Sequence, residues 1–519
     1  MATDTLLLGL DLGTTYIKAL AFEPDGRIAA EASAPTPTHY PRPRWAYYEP
    51  EELWQAAVAA LRQITAQLPD PRRIASIAIS SFGETGVPLD AHGQPTYNAI
   101  AWFDQRAYLQ LNWLEAHLGR DHLFAVTGLP PLVIYGLYKL LWLKENEPDA
   151  FARTTLWLNG ADYIAYRLSG VPATDYSLAS RTMALNLHRR CWADDLLQAA
   201  GIPPSLLAPL TPSGTALGAV LPDVARQTGL PPQTQIAVGG HDHICGAFAV
   251  GVNRPGQMLN SLGTAEAIFL PTNSPLADPV VGHQGYSQGL LVVQDQTYYF
   301  ILGGLYTSGG SIEWLREVIG GSNRLDQWPS YETLIGEAEG APPGSLGVHF
   351  LPYLRMSNPP YADTKARGAF IGLNTDIKRG VLFRAVLEGI SYEARLCLET
   401  LLAHQGLAPP QIYAIGGGTR NPLYMRIKAS VLNQPITILK VAEAVTLGAA
   451  MLGGLSAGVY PDVISALANI HHDQTRVEPD AAEVELYHTC YRQVYQQLYQ
   501  SLRPLHHKIH DLQQGISET

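Results

Sequence analysis

Cysteine is scarce in this chain of 519 residues: Cys191, Cys245, Cys397 and Cys490 stand far apart, with no C-x-x-C spacing. That excludes a disulfide framework and a cysteine zinc site, and each reads as a small buried apolar residue. Basic runs are missing too. Thirty-five Lys plus Arg face 46 Asp plus Glu, a net charge of −11. That balance argues against nucleic acid or an anionic membrane as partner, while allowing a local basic site for a phosphate. The uncharged run Ala444–Tyr460 is broken by glycines and falls short of the ~20 strongly apolar residues of a membrane span. The first residues lack the basic n-region of a signal peptide, so a soluble, cytoplasmic protein is expected. The Walker A pattern G-x-x-x-x-G-K-[ST] is absent from the glycine-rich turns.

With 46% apolar and 16% charged residues the chain is not a disordered one. Its length exceeds a single ordinary core, and two domains of about 250 residues are the expectation. Short apolar runs stop at glycine: Leu6–Leu10 before Asp11-Leu12-Gly13-Thr14-Thr15, Ile74–Ser80 before Gly83-Glu84, Gln235–Val238 before Gly239-Gly240, and Ile412–Ile415 before Gly416-Gly417-Gly418. Unbroken runs suit strands covered on both faces, as in an α/β sheet. Between them, Asp376–His404 carries one apolar stripe at helical steps, with Asp376 and Gly406 as expected caps. The segment around Gly13 is echoed at Leu259 to Ala265, about half the chain later, which suggests two similar domains: 1–253 and 254–480, joined near Asn253–Gly256, with 481–519 as a terminal helix and tail. Tyr487, Tyr491, Tyr495 and Tyr499 recur every four residues. They form a helix face expected against the second domain or, in a homodimer, a partner subunit.

Chemistry concentrates at the glycine turns. A glycine at a strand end lets backbone N–H groups approach an anion, and the hydroxyls of Thr14 and Thr15 can bond phosphate oxygens. Asp11 can hold Mg²⁺ through water, and Lys18 could reach a terminal phosphate. A plain hairpin turn is the rival reading. Asp242, in Gly240-His241-Asp242-His243, is placed either to accept a hydroxyl proton, to cap a helix, or to join an H-x-H metal pair. Ser261-Leu262-Gly263-Thr264 is a second turn with Ser261 where the first has Asp11. Gly416-Gly417-Gly418 with Asn421 can pack and bond a flat group. Trp102-Phe103-Asp104-Gln105-Arg106 suits a hydroxylated ligand or a surface ion pair.

In this order, together with Lys139–Leu143, Ser308–Leu315, Ala366–Leu373, Val386–Ile390 and Leu447–Ala450, these segments resemble the FGGY family of carbohydrate kinases over roughly residues 5–470. The family includes xylulokinases and glycerol kinases. The resemblance implies two actin-like (ribonuclease H-like) domains, each a mixed five-stranded sheet flanked by helices, with ATP and a sugar or polyol meeting in the cleft. Position by position it implies Asp242 as general base, Asp11 as the Mg²⁺-associated acid, and Thr14, Thr15 and Lys18 as the first phosphate turn, with Gly263 and Thr264 as the second. Gly309, Glu313, Gly417, Gly418 and Asn421 fall where the family contacts the nucleoside, and Glu84, Asp104 and His243 near the sugar. Phe82-Gly83-Glu84-Thr85 departs from the Gln-Met-His-Gly common in xylulokinases and from the Arg-Glu-Thr of glycerol kinases. A ketopentose such as xylulose or ribulose is favoured, with other ketoses and polyols such as erythritol open. The competing classes are another ATPase on the same fold and a sugar-binding regulator without catalysis.

Overall fold

The runs that stop at glycine are strands, and they belong to two sheets of one design. The computed structural model describes residues 5–321, 324–405 and 409–517. The first sheet contains β1 (Leu6–Leu12), β2 (Tyr16–Phe22), β3 (Ile28–Pro35), β4 (Ile74–Ser81), β5 (Ala216–Ala219) and β6 (Gln235–His241), in the order β5-β6-β4-β1-β2-β3. The second contains β7 (Gln257–Leu262), β8 (Glu266–Thr272), β9 (Ser287–Val293), β10 (Gln296–Leu305), β11 (Gln411–Ile415), β12 (Ile436–Lys440) and β13 (Asp473–Val477), in the order β9-β10-β8-β7-β11-β12-β13. The helices that carry or back the site are α1 (Asp242–Ala249), α2 (Gly309–Gly320), α3 (Arg379–Gln405), α4 (Pro422–Leu432) and α5 (Ala444–Ser456), followed by α6 (Ala481–Cys490) and α7 (Gln496–Ser517).

The repeat read from the x-L-G-T echo is real at the level of topology. In the first sheet β1 pairs antiparallel with β2 and parallel with β4, and β6 runs parallel beside β4. In the second, β7 pairs antiparallel with β8 and parallel with β11, and β12 runs parallel beside β11. The five strands expected per domain are therefore there, but the sheets have six and seven. The extra edge strands, β5, β13 and β9, escape pattern reading for different reasons. β5 and β13 are short and largely exposed, so no apolar run marks them, while β9 is buried yet ends on a hairpin that carries no glycine motif.

Interdomain packing explains the uncharged run 444–460. It is α5, which follows β12 as α1 follows β6, and the two helices cross between the sheets in reciprocal positions. Contact is too close for side chains: a Cβ on Gly9 of β1 would lie 2.0 Å from the Thr446 carbonyl oxygen, and one on Gly448 would lie 1.9 Å from that of Cys245. A buried cluster joins Ile244 and Phe248 of α1 to Phe269, Leu291 and Phe300 of the second sheet, and Leu447 and Leu452 of α5 to Leu7 and Ala78 of the first. Each large side chain so buried contributes about 1.5–3 kcal/mol, which makes this interface a shared core.

The expected long helix is α3, beginning at Arg379. Asp376 lies ahead of it, its N–H bonded to Asn374 Oδ1 at 2.8 Å, and does not cap; Gly406 lies outside the described residues. The tyrosine face packs within the same chain, on α3: Tyr487, Tyr491 and Tyr495 donate to Glu388 (3.1 Å), Glu399 (3.0 Å) and Glu393 (2.8 Å). Among the described residues no helix is long and apolar enough to cross a membrane.

Candidate active site

Three parallel strands end together at the sheet edge that faces the second domain. Register sets Asp11 of β1 beside Ser80 of β4, and Ser80 beside Gly240 of β6, so Asp11 and Asp242 emerge on one edge. Such an edge is where ligands meet open α/β sheets. The hydroxyl of Ser80 donates to Asp11 Oδ1 at 3.0 Å. Burial, reinforced by the negative charge of Asp242, pushes the Asp11 carboxyl up to about 7 against the opposing pull of Ser80 and Lys18. Asp242 is the first residue of α1, and its Oδ1 accepts the His243 N–H at 2.6 Å. Burial would raise its pKa, but His243, His241 and Arg181 outweigh burial and hold it below the usual carboxylate range. Two acids at one edge thus part company, Asp242 ionised and Asp11 titrating near neutrality. His241 is pushed down to about 4, chiefly by burial, and is neutral. His241 and His243 stack at 5.5 Å, and among the described residues no group of three metal-ligating side chains forms around them.

The first turn is both a hairpin and an open cradle. Gly13 N–H bonds the Tyr16 carbonyl at 3.2 Å, and the Thr36 hydroxyl donates to the Gly13 carbonyl at 2.7 Å. Thr14 Oγ1 accepts the Trp102 indole N–H at 3.2 Å, while Thr15 is exposed. Lys18, opposite Asp11 in the β1–β2 register, is not free in the cleft: its Nζ is 2.7 Å from Glu443 Oε1 at the head of α5. Glu443, which sequence reasoning missed, has no motif around it and lies 425 positions from its partner.

Across the cleft, a cavity of about 450 Å³ is lined by Gly263, Thr264, Gly309, Glu313, Gly417, Gly418 and Asn421. These are all seven of the residues expected at the nucleotide from the second half of the chain. Gly263 and Thr264 connect β7 to β8 and dock on the start of α2, where the N–H groups of Gly309 and Gly310 bond the carbonyls of Gly263 (3.1 Å) and Thr264 (2.9 Å). A Cβ on Gly309 would stand 2.5 Å from the Gly263 carbonyl oxygen, hence glycine. Gly416 takes φ +97° against the Leu262 carbonyl, bringing the triple glycine beside the turn. Asn421 caps α4 through Oδ1, which accepts the Tyr424 N–H at 3.0 Å; its buried Nδ2 has no hydrogen-bond partner, the mark of a donor awaiting a ligand. Glu313 is engaged by Arg316 at 2.8 Å and by the Tyr331 hydroxyl. Tyr331 and Ile335 also line the cavity and were not legible, since no motif contains them; Arg420 lines it as well, inside the glycine segment but not singled out there.

Beneath that cavity lies a fully buried ion pair, Lys428 Nζ to Glu266 Oε1 at 2.5 Å. Asn260 Nδ2 (2.9 Å), Ser308 Oγ (3.0 Å) and Tyr424 OH (3.1 Å) also donate to Glu266. Ser308 and Tyr424 line the cavity, so the pair fixes its floor.

Of the residues expected near the sugar, Glu84 and His243 are at the Asp242 end and Asp104 is not. Glu84 has φ +63°, an uncommon conformation for a non-glycine residue that marks a constrained site. Its carbonyl accepts the buried Lys139 Nζ at 2.6 Å, and its carboxylate is held by Arg181 at 2.5 Å. His243 shares a small cavity with Ser261 of β7, which brings the two domains' turns together. Asp104 corrects the sequence reading: its side chain has no exposure, taking both Arg106 Nε (2.9 Å) and Nη2 (2.8 Å) and the Ala46 N–H (2.5 Å). It braces the loop behind Trp102 and offers no oxygen to a ligand.

Two sheets of one topology, a glycine-threonine hairpin turn on each side of a cleft and opposed acids at one edge define a phosphotransferase of the actin-like fold. Residues 6–249 match the N-terminal domain, and residues 258–457 the C-terminal domain, of the FGGY family of carbohydrate kinases. A glycerol kinase of Gloeobacter violaceus is 32% identical over 475 residues, 90% of this chain and 91% of that one. A xylulose kinase of Bacillus subtilis is 29% identical over 486 residues, 93% and 95% of the two chains. Among solved structures, a xylulose kinase from Rhodospirillum rubrum superposes with a TM-score of 0.87 at 28% identity, covering 97% of this chain and 100% of its own. A gluconate kinase from Lactobacillus acidophilus does so at 0.87 and 25%, covering 96% and 98%. The chain belongs to the FGGY family of carbohydrate kinases.

Proposed function

We propose that this kinase transfers the γ-phosphoryl group of ATP to a hydroxyl of a small neutral ketose or polyol, a ketopentose such as xylulose or ribulose being favoured. On this reading residues 1–253 bind the acceptor and carry the base, residues 254–480 bind the nucleotide, and the enzyme works in the cytoplasm, where ATP is the donor. The observation that carries it is the pairing of an ionised Asp242 with an Asp11 that titrates near 7, on the edge facing the glycine-lined cavity. Asp242 accepts the proton of the attacking hydroxyl; the transition state is loose, so proton removal is late and positioning dominates. Thr14, Thr15, Gly263 and Thr264 hold phosphate oxygens, Lys18 exchanges Glu443 for phosphate, and Asn421 Nδ2 donates to the nucleoside. Asp11, with Glu443 and Asp242 near it, has the carboxylate excess that suits Mg²⁺ held mostly by water and phosphate. Bound there, Mg²⁺ would neutralise charge on the transferring group.

The neutral acceptor follows from charge. At the acceptor end Arg181 is already paired with Glu84, Lys139 is buried on the Glu84 carbonyl, His241 is neutral, and Asp242 adds a negative charge, so a carboxylate substrate finds no exposed, uncompensated cation there. The test is acceptor-dependent ADP release with ATP and Mg²⁺ against glycerol, erythritol, D-xylulose, D-ribulose and D-gluconate. One neutral compound is expected to stand out, and Asp242→Ala to lower its turnover by about 10²- to 10⁴-fold with nucleotide still bound. Sugar-independent ATP turnover alone, or D-gluconate as best acceptor, would overturn the reading.

A further inference from the structure

On that kinase reading, we propose that Arg181 is the positioning residue of the acceptor pocket: it orients Glu84 and ties that carboxylate to the second domain, so that acceptor binding and domain contact are coupled. No motif pointed to Arg181. It follows the short helix Tyr176–Ala179, and its guanidinium reaches three different places. Nε donates to Glu84 Oε1 at 2.6 Å, with Nη2 at 2.5 Å from the same oxygen. Nη1 donates to Ser287 Oγ at 3.3 Å, and Ser287 begins β9 of the second sheet. The flat group lies 5.3 Å from the centre of the Tyr135 ring, and the Tyr135 hydroxyl is buried without a hydrogen-bond partner.

The grip on Oε1 leaves the other Glu84 oxygen, Oε2, without a bond to Arg181, available to accept acceptor hydroxyls. A guanidinium does this better than an ammonium because two N–H groups of one rigid fork converge on the same oxygen and hold it in place. The space it uses exists because residue 83 is glycine: a Cβ there would stand 3.0 Å from Arg181 Cγ and 2.8 Å from His241 Cδ2.

The platform is wired to both halves of the reaction. Asp175 caps the short helix through the N–H groups of Ser177 (2.7 Å) and Leu178 (2.9 Å). Ser177 Oγ accepts the N–H of His241, the residue before Asp242, at 2.8 Å. On its other side, Ser180 Oγ accepts the Leu290 N–H of β9 at 3.3 Å, and Ala179 packs with Leu290 and Val292. A shift of β9 therefore reaches Glu84 through Arg181 and Asp242 through Ser177.

The experiment uses the full-length enzyme, wild type and the variants R181K, R181M and S287A. Initial rates are taken against the five acceptors named for the kinase test. Calorimetry then gives the affinity of the best acceptor with and without a non-hydrolysable ATP analogue. Loss of a charge-assisted bond predicts an acceptor KM about 10- to 100-fold higher in R181M, with the ATP KM within about twofold and R181K in between. S287A keeps the Arg181–Glu84 pair, so its acceptor affinity without nucleotide is unchanged. The factor by which nucleotide tightens acceptor binding, which must equal its reciprocal effect, falls about 2- to 10-fold. An unchanged acceptor KM in R181M, or ATP and acceptor KM rising in step, overturns the Arg181 assignment and leaves the kinase reading standing. A wild type inert toward every acceptor overturns both. Should R181M fail to fold, R181K decides by the same criteria, and a nucleotide coupling factor in S287A equal to that of the wild type overturns the coupling through Ser287.

Discussion

Replacing Lys428 by Met isolates the buried ion pair under the glycine-lined cavity, the proposed nucleotide site. Both side chains have zero exposure and meet at 2.5 Å. Burial already pulls the lysine pKa down, while Glu266 pulls it back up. Without the ammonium, Glu266 keeps three donors, Asn260, Ser308 and Tyr424, but loses its countercharge in a region closed to water. Breaking one side of a buried pair costs ~3–5 kcal/mol, and about 2–4 °C per kcal/mol for a domain of this size gives a Tm drop of about 6–20 °C. Pairing Lys428→Met with Glu266→Gln removes the orphaned charge, so the double variant should recover about 1–3 kcal/mol of the loss. Because Ser308 and Tyr424 line the cavity, the ATP KM should rise in the single variant while the acceptor KM stays put. Calorimetric unfolding of the three variants, with KM values for both substrates, checks this. A single variant that loses under about 1 kcal/mol, or a double variant no better than the single one, would refute the reasoning.

If Asp11 holds Mg²⁺ as proposed, a proton and Mg²⁺ compete for it. With its pKa raised to about 7, the apparent Mg²⁺ affinity should climb up to about tenfold per pH unit below that value and level off above it; Asp11→Asn should flatten the profile, as Mg²⁺ titrations between pH 5.5 and 8.5 would reveal. Glu393, buried among Tyr353, Tyr495 and Asn358, is pushed up to about 7. The folded state therefore holds a proton that the unfolded chain has released, and stability is lost as pH rises from the ordinary glutamate range through 7; thermal unfolding of Glu393→Gln should show a shallower pH slope. Gly309→Ala would put a methyl 2.5 Å from the Gly263 carbonyl oxygen, so the Gly263–Thr264 turn must shift and, on the proposed reading, the ATP KM should rise about tenfold or more, with acceptor KM as the control.

What the sequence determined by itself is local. Apolar runs halted by glycine mark strands because the backbone must turn without a Cβ, as at Gly416, and that geometry is written in neighbouring residues. The doubled x-L-G-T turn disclosed two domains of one topology, and the seven expected nucleotide residues of the second domain gather in one cavity. Partner choice was decided only in three dimensions. Asp104 and Arg106 sit side by side in sequence and suggested a ligand contact, but burial turns them on each other and on Ala46. Lys18 finds Glu443 425 positions away, Glu84 finds Arg181 97 positions away, and Glu266 finds Lys428 162 positions away. Charge pairing depends on distance and burial: packing α5 of the second domain against the first brings Glu443 to Lys18, while packing within one domain joins Glu84 to Arg181 and Glu266 to Lys428, and no spacing along the chain encodes it.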